Sequence, residues 1–154
     1  MTPDLMKYAL KISVGIVASI LLAWYGYGFF SKSVENFGSI EGTTNYPSEY
    51  IPEQTVCAEP VDGGEEICTE VPGGDGEQLT PTWVVRVPPG QYYISARVVD
   101  PTALGSDLGD YRAYYTKYVT CGLKYECKDH TKIPITVTKS ATVTGISPYD
   151  WYIR

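Results

Sequence analysis

The chain has 154 residues, 44% of them hydrophobic, with four cysteines and a net charge of -6 from eighteen acidic and twelve basic residues. This balance argues against a protein built to grip nucleic-acid phosphates. The nine basic residues after position 85 are scattered, and they are tethered to residues 33–85, which hold eleven carboxylates and no Lys or Arg. Once the flanking segments below are set aside, the length leaves one small domain, a size at which covalent staples commonly support the core.

Residues 1–11 carry Lys7, Lys11 and the amino terminus against Asp4 alone. Residues 12–30, ISVGIVASILLAWYGYGFF, then run for nineteen positions without a charge, long enough to cross a bilayer as a helix. Trp24, Tyr25 and Tyr27 gather near the far end, where amphipathic rings favour the membrane interface. A cleaved signal peptide shares the basic start and apolar middle, but the exit GYGFFSKSV offers no small-x-small cleavage site. A prepilin-like start calls for a processing site ahead of the run and an acidic residue early in it, and neither is evident. The reading is an uncleaved signal anchor with a cytoplasmic N-terminus, which places the remainder outside the cytoplasm, at the cell surface or in a periplasm. Gly15, Ser19 and Ala23 form a small-xxx-small stripe on which a second membrane helix can pack.

Residues 31–54 are polar, with scattered Gly, Pro and single aromatics, and read as a stalk or linker. Residues 55–71, TVCAEPVDGGEEICTEV, centre on Asp62-Gly63, a hairpin turn signal. A two-residue loop there pairs positions whose numbers sum to 125, and Cys57 and Cys68 sum to 125. The spacing therefore predicts an acidic hairpin with the two cysteines opposed across it, within disulfide reach. An even cysteine count beside a membrane segment points to an oxidising compartment, with Cys121 and Cys127 as the second bridge.

After a Gly- and Pro-rich boundary, residues 82–100, TWVVRVPPGQYYISARVVD, read as two strands joined by a tight Pro88-Pro89-Gly90 turn, with Gly90 supplying positive φ. Tyr92, Ile94, Ala96 and Val98 alternate with Tyr93, Ser95, Arg97 and Val99. Residues 101–110 have loop composition. Their Asp107 and Asp110, with the adjoining Asp100, lack the density of a calcium loop. Residues 111–121, YRAYYTKYVTC, read as a strand on their Tyr, Thr and Val content. Residues 133–138 and 141–146 read as a last pair of strands, with Pro134 at a strand start or sheet edge and Trp151 capping the core.

The expected fold is mainly β: a small β-sandwich with a disulfide-pinned β-hairpin, preceded by one transmembrane α-helix, the sandwich spanning residues 82–154. VPPGQYYISARV, followed after a long connection by IPITVTKSATVTGI, resembles the transthyretin-like (prealbumin-like) sandwich of carboxypeptidase regulatory-like domains, and YRAYYTKYVTCGLKYECKDHTKIPITVT with the ending GISPYDWY resembles an elaboration found in small bacterial surface proteins. In that family a Pro-Gly turn introduces a Tyr-containing strand and a later pair of strands closes the sheet. Lys139-Ser140 departs from the pattern where a Gly turn is common. The resemblance implies an accessory, adhesive or structural module with no shared catalytic residues.

His130 is the only histidine, so any Ser-His-Asp or Cys-His arrangement must use it, and CKDHTK reads as a polar loop. Cys121, Cys127, Asp129 and His130 lack zinc spacing. No catalytic residue, metal set or cofactor is expected, so the protein does not read as an enzyme. Nine of fourteen tyrosines lie beyond residue 90, and Tyr93, Tyr114, Tyr118 and Tyr125 are the candidate binding surface. The functional expectation is a membrane-anchored, extracytoplasmic, non-catalytic interaction module. Its partners would be the lipid bilayer and other envelope or membrane proteins, not nucleic acid, with the chain as an accessory subunit of such an assembly. The alternative is a glycan- or peptide-binding surface domain using exposed Tyr; a pilin-like filament subunit or an enzyme ranks behind both.

Overall fold

A computed structural model describes residues 37–75, 80–104 and 111–152. The proposed anchor, with Trp24, Tyr25, Tyr27 and the Gly15, Ser19, Ala23 stripe, lies outside the described residues. Among the described residues no helix is long and apolar enough to cross a membrane. The strands are β1 (Gly38–Thr43), β2 (Tyr50–Ile51), β3 (Gln54–Pro60), β4 (Ile67–Val71), β5 (Gly74–Asp75), β6 (Thr82–Val87), β7 (Gly90–Val98), β8 (Ala113–Tyr114), β9 (Ile135–Val137) and β10 (Thr142–Ile146). A 3-10 turn occupies Pro101–Leu104 and one α-helical turn Lys117–Thr120.

The fold is mainly β and sandwich-like. One sheet runs β10-β1-β6, and the other runs β4-β3-β7-β8 with β9 also pairing β7; β2 and β5 form a small separate ladder. The alternation expected in β7 holds on its inner face, where Tyr92, Ile94 and Ala96 are buried and share a core with Val56 and Ala58 from β3 and with Trp83, Val85 and Val87 from β6. It is incomplete, since Ser95 on the other face is buried too and Val98 is only half-buried. β6 alternates without exception, exposed and buried by turns, so its inner face alone feeds the core. Trp151 joins the same core, 5% exposed, as the cap expected of it.

The stalk reading of residues 31–54 fails from residue 38 onward. β1 is the middle strand of its sheet, antiparallel to β6 and parallel to β10. It escapes periodicity because its only large apolar side chain is Ile40, fully buried, and the rest of its contribution is close backbone approach. A Cβ on Gly42 would run into the carbonyl of Ile146, and one on Gly38 would meet the carbonyls of Thr138 at 2.7 Å and Ala141 at 2.9 Å and the side chain of Val137. Glycine here marks tight packing between strands, which a composition reading takes for a linker. The sheets therefore draw on residues from 38 onward, not on 82–154 alone.

The Pro88-Pro89-Gly90 junction is not a hairpin turn. β6 pairs β1 in one sheet while β7 pairs β3, β8 and β9 in the other, so the two prolines carry the chain across the sandwich. Gly90 is the first residue of β7 and is not among the glycines at positive φ. The Tyr92 hydroxyl donates to the Pro88 carbonyl at 2.8 Å and fixes the crossing. The last two strands behave alike: β9 joins β7, β10 joins β1, and Lys139-Ser140 crosses between sheets with Ser140 at φ 57. Two adjacent strands with a tight turn look the same in sequence whether they pair or part.

The acidic hairpin keeps its register. β3 and β4 pair as Gln54↔Val71, Val56↔Thr69 and Cys57↔Cys68, with Cys57–Cys68 bridged and Cα atoms 4.1 Å apart. The loop is wider than two residues, because the Gly63 amide donates to the Pro60 carbonyl at 3.0 Å and places Val61-Asp62 at the turn centre, ahead of Gly63 and Gly64 at positive φ. The hairpin is not a separate unit: β3 pairs along its whole length with β7. A second bridge joins Cys121 and Cys127, and no cysteine is free.

The strand expected over residues 111–121 shrinks to β8 and an isolated bridge from Thr116 to Lys132. Lys117–Thr120 winds into a helical turn, closed by Cys121 and Gly122 amides on the Lys117 and Val119 carbonyls. The β preference of Tyr and Val loses to the geometry of the disulfide-closed loop that follows.

Candidate functional site

The C-terminal segment 147–152 has almost no secondary structure and is fastened by side chains. Asp150 is fully buried, and a buried carboxylate is tolerated only when its lone pairs are filled. Oδ2 accepts from the Thr116 hydroxyl and from His130 Nδ1, each at 2.7 Å, and Oδ1 accepts from the Tyr152 amide at 3.3 Å. A carboxylate has no proton to give, so Nδ1 carries it. One side chain thus ties the strand end at Thr116, the loop at His130 and the chain terminus together. Trp151 makes the second fastening, donating its indole N–H to the Asn45 carbonyl at 2.8 Å, and the Gln54 amide reaches the same oxygen at 3.3 Å. A third knot joins the Thr43 hydroxyl to Ser147 Oγ at 3.0 Å and to the Tyr149 hydroxyl at 2.6 Å.

These fastenings build two adjoining clefts. One, of about 140 Å³, is lined by Asn45, Tyr46, Pro47, Tyr149, Trp151, Tyr152 and Leu123. The other, of about 340 Å³, is lined by Leu123 and Tyr149 again, with Tyr115, Val119, Thr120, Gly122, Gly145 and Ser147. Among the described residues, none that lines either cleft carries a charge. Tyr46 stands nearly perpendicular to Trp151, ring centroids 5.0 Å apart at 73°, which makes a corner of two rings. Behind Tyr152 lies Tyr118, edge-on at 6.1 Å, and Tyr118 rests on His130 at 4.7 Å. The Asp150–His130 pair therefore buttresses the cleft wall.

Leu123, shared by both clefts, holds φ at 56, a left-handed conformation that costs a branched side chain roughly 1 kcal/mol or more. Three constraints impose it: the Cys121–Cys127 bridge, the Leu123 amide on the Tyr118 carbonyl at 3.1 Å, and the Tyr118 hydroxyl on the Leu123 carbonyl at 3.1 Å. The outcome is a 36% exposed leucine set between the clefts.

The four tyrosines named from sequence divide between two places, and none of them lines a cleft. Tyr118 buttresses, and Tyr125 projects from the disulfide loop, 83% exposed, beneath the Lys128 ammonium at 4.9 Å. Tyr93 and Tyr114 lie on the outer face of the larger sheet under Lys132 Nζ, which sits 3.3 Å from the Tyr114 ring centre. That face is knit together by Arg112, which donates to Glu59 at 3.2 Å and Glu66 at 2.7 Å above the buried Cys57. Burial first, then the Glu59 and Glu66 charges, push the Tyr114 phenol up to about 12. Since the folded value exceeds the unfolded one near 10, this contribution to stability is complete below pH 10 and is lost as pH rises through about 12. A Tyr114→Phe variant is expected to lose the last step of the tyrosinate absorbance titration, and its stability should fall less than wild type between those pH values.

Five rings line the clefts: Tyr115, from the stretch expected to be a strand, and Tyr46, Tyr149, Trp151 and Tyr152, which were missed as a site because they sit in polar, irregular segments at opposite ends of the domain. The only sequence cue was the density of rings in SPYDWY. The metal set weighed from sequence is otherwise engaged: both cysteines are bridged, Asp129 meets Lys117 Nζ at 3.1 Å and the Thr131 amide at 3.0 Å, and His130 meets Asp150. Hydrogen bonds from Thr131 and Lys117 hold Asp129 down to about 2. The grouping of Glu66 with Cys57 and Cys68 is likewise closed by their bridge. Compared with models of protein families, with curated proteins and with solved structures, the chain matches none of them.

Proposed function

We propose that this chain is a non-catalytic recognition module, held at a membrane by residues 12–30 and displayed outside the cytoplasm, which takes an uncharged ligand in the paired clefts. The observation that carries the reading is the lining itself: among the described residues it is rings, a proline, Leu123, Val119, glycines and small polar residues without one charge, in a chain where 19% of residues are charged. Sites that bind by stacking and apolar contact have this composition, with a few polar groups for orientation. Strain held at Leu123 supports it, because backbone outliers fixed by their surroundings cluster at binding sites. The two disulfides support the compartment. Asp150 and His130 have the orienting half of a hydrolytic triad, but their bonds serve to fasten segments. The likeness to transthyretin-like sandwiches belongs to the same proposal, and the support for it is the pair of sheets entered through Pro88-Pro89.

A photoreactive phenylalanine at Tyr152, 57% exposed on the cleft rim, is expected to trap a ligand in intact cells. The same group at Val84, 50% exposed on the outer face of the smaller sheet, is expected to trap none. Equal labelling from both positions, or none from Tyr152, contradicts the assignment.

A further inference from the structure

We propose that the ligand of the paired clefts is a neutral glycan, a chain of uncharged pyranose rings; this rests on the recognition reading above and narrows its ligand class. Absence of charge among the described lining residues disfavours anionic and cationic polymers, since a charged ligand would lose hydration with no opposite charge there to replace it. The remaining contest is between an apolar or proline-rich peptide and a sugar.

Hydrogen bonding favours the sugar. A peptide presents carbonyls and needs donors at fixed spacing, whereas sugar hydroxyls take either role with any partner. The best aromatic donor here, the Trp151 indole N–H, is already committed to the Asn45 carbonyl at 2.8 Å. What the small cleft does leave open is different. The Asn45 side-chain oxygen takes the Tyr46 amide at 2.7 Å, which leaves its NH2 directed elsewhere, and the hydroxyls of Tyr46 and Tyr152 have no bond to the described residues. Phenol hydroxyls both donate and accept, as sugar hydroxyls do, so the match is mutual. Ring faces supply the rest. The half-buried Tyr46 ring, set edge-on over the buried Trp151, and the exposed Tyr152 ring leave aromatic surface at the rim, which suits a pyranose with its apolar C–H face down and its hydroxyls outward. The second cleft, continuous in lining through Leu123 and Tyr149, extends the site beyond one ring, so oligomers should bind better than monosaccharides.

The test is calorimetry on the full chain, kept in a detergent without a sugar headgroup. Maltohexaose, cellohexaose and N-acetylchitohexaose are the sugar probes, and a decaproline peptide is the competitor class. At least one hexasaccharide is expected to bind, its monosaccharide at least about tenfold more weakly. Tyr152→Ala, at an exposed position, should weaken binding about tenfold, the scale of one lost ring contact, with an unchanged melting temperature. Tyr152→Phe should retain more than Tyr152→Ala. Binding of decaproline with no sugar binding overturns the glycan assignment and leaves the recognition module standing. Sugar binding unaffected by Tyr152→Ala overturns the location. No sugar binding overturns the glycan assignment even where decaproline fails too, and if photolabelling from Tyr152 is also absent both readings fall.

Discussion

A Gly42→Ala variant is expected to lose at least about 3 kcal/mol of stability, seen as a fall of roughly 10 °C or more in melting temperature or as failure to accumulate. The added methyl meets the Ile146 carbonyl, which is backbone and cannot rotate away as a side-chain end would. Relief requires β1 and β10 to separate where their parallel register already shifts between Ile40 and Gly42, and β1 holds the middle of its sheet. Ile146 leads directly into the segment that lines the clefts, so recognition should fail with the fold. Gly63→Asn is the contrast. Gly63 has φ 86 but open space around it, and Asn accepts left-handed geometry, so a loss below about 1 kcal/mol is expected. Chemical denaturation of both variants checks the pair.

Asp150→Ala is expected to cost about 3 to 5 kcal/mol, the scale for breaking a buried charged network from one side. Three donors lose their acceptor at once, among them the Thr116 hydroxyl, which is wholly buried and has no route to water. Asp150→Asn keeps the shape and one oxygen, and should cost about half as much, since one of the donors must now face an NH2. His130→Ala leaves a buried carboxylate short of one partner and unseats the ring on which Tyr118 rests, so it should destabilise and loosen the Tyr152 wall together. An equilibrium unfolding series across the three variants would read the order Asp150→Ala above Asp150→Asn. Equal effects from both would mean that the full carboxylate, with its charge and both acceptor oxygens, holds the C-terminus and that shape contributes nothing.

What the sequence disclosed depended on how local the causes were. The Cys57–Cys68 bridge was legible because a hairpin register is arithmetic around its turn, and it survived a turn wider than the Asp62-Gly63 signal suggested. The face of β7 was legible because alternation is a property of the strand itself. Pairing partners were not. Residues 82–87 and 90–98 carry the same alternation whether they pair with each other or with β1 and β3, and nothing local distinguishes Pro88-Pro89 as a crossing. β1 hid behind its glycines for a related reason: Gly38 and Gly42 are needed by strands about a hundred residues away in sequence. The loop around His130 was legible as polar but its partner was not, because Asp150 lies in an irregular segment with no pattern. The clefts were illegible for the same cause, since Tyr46 and Trp151 meet only through the fold.

Recognition by these clefts requires that they stand formed before a ligand arrives, and the indole N–H of Trp151 reports on that directly. Its bond to the Asn45 carbonyl joins the C-terminal segment to the loop after β1 and sets the floor of the smaller cleft. Hydrogen exchange of the tryptophan indoles, followed by NMR on the full chain without ligand, is therefore the decisive measurement. A Trp151 signal that exchanges as slowly as the core amides of β7, and fast in Asp150→Ala, is the predicted result. A Trp151 indole that exchanges at the rate of an exposed side chain in the wild-type protein would mean that segment 147–152 is not seated, and the preformed site with its ligand would have to be abandoned.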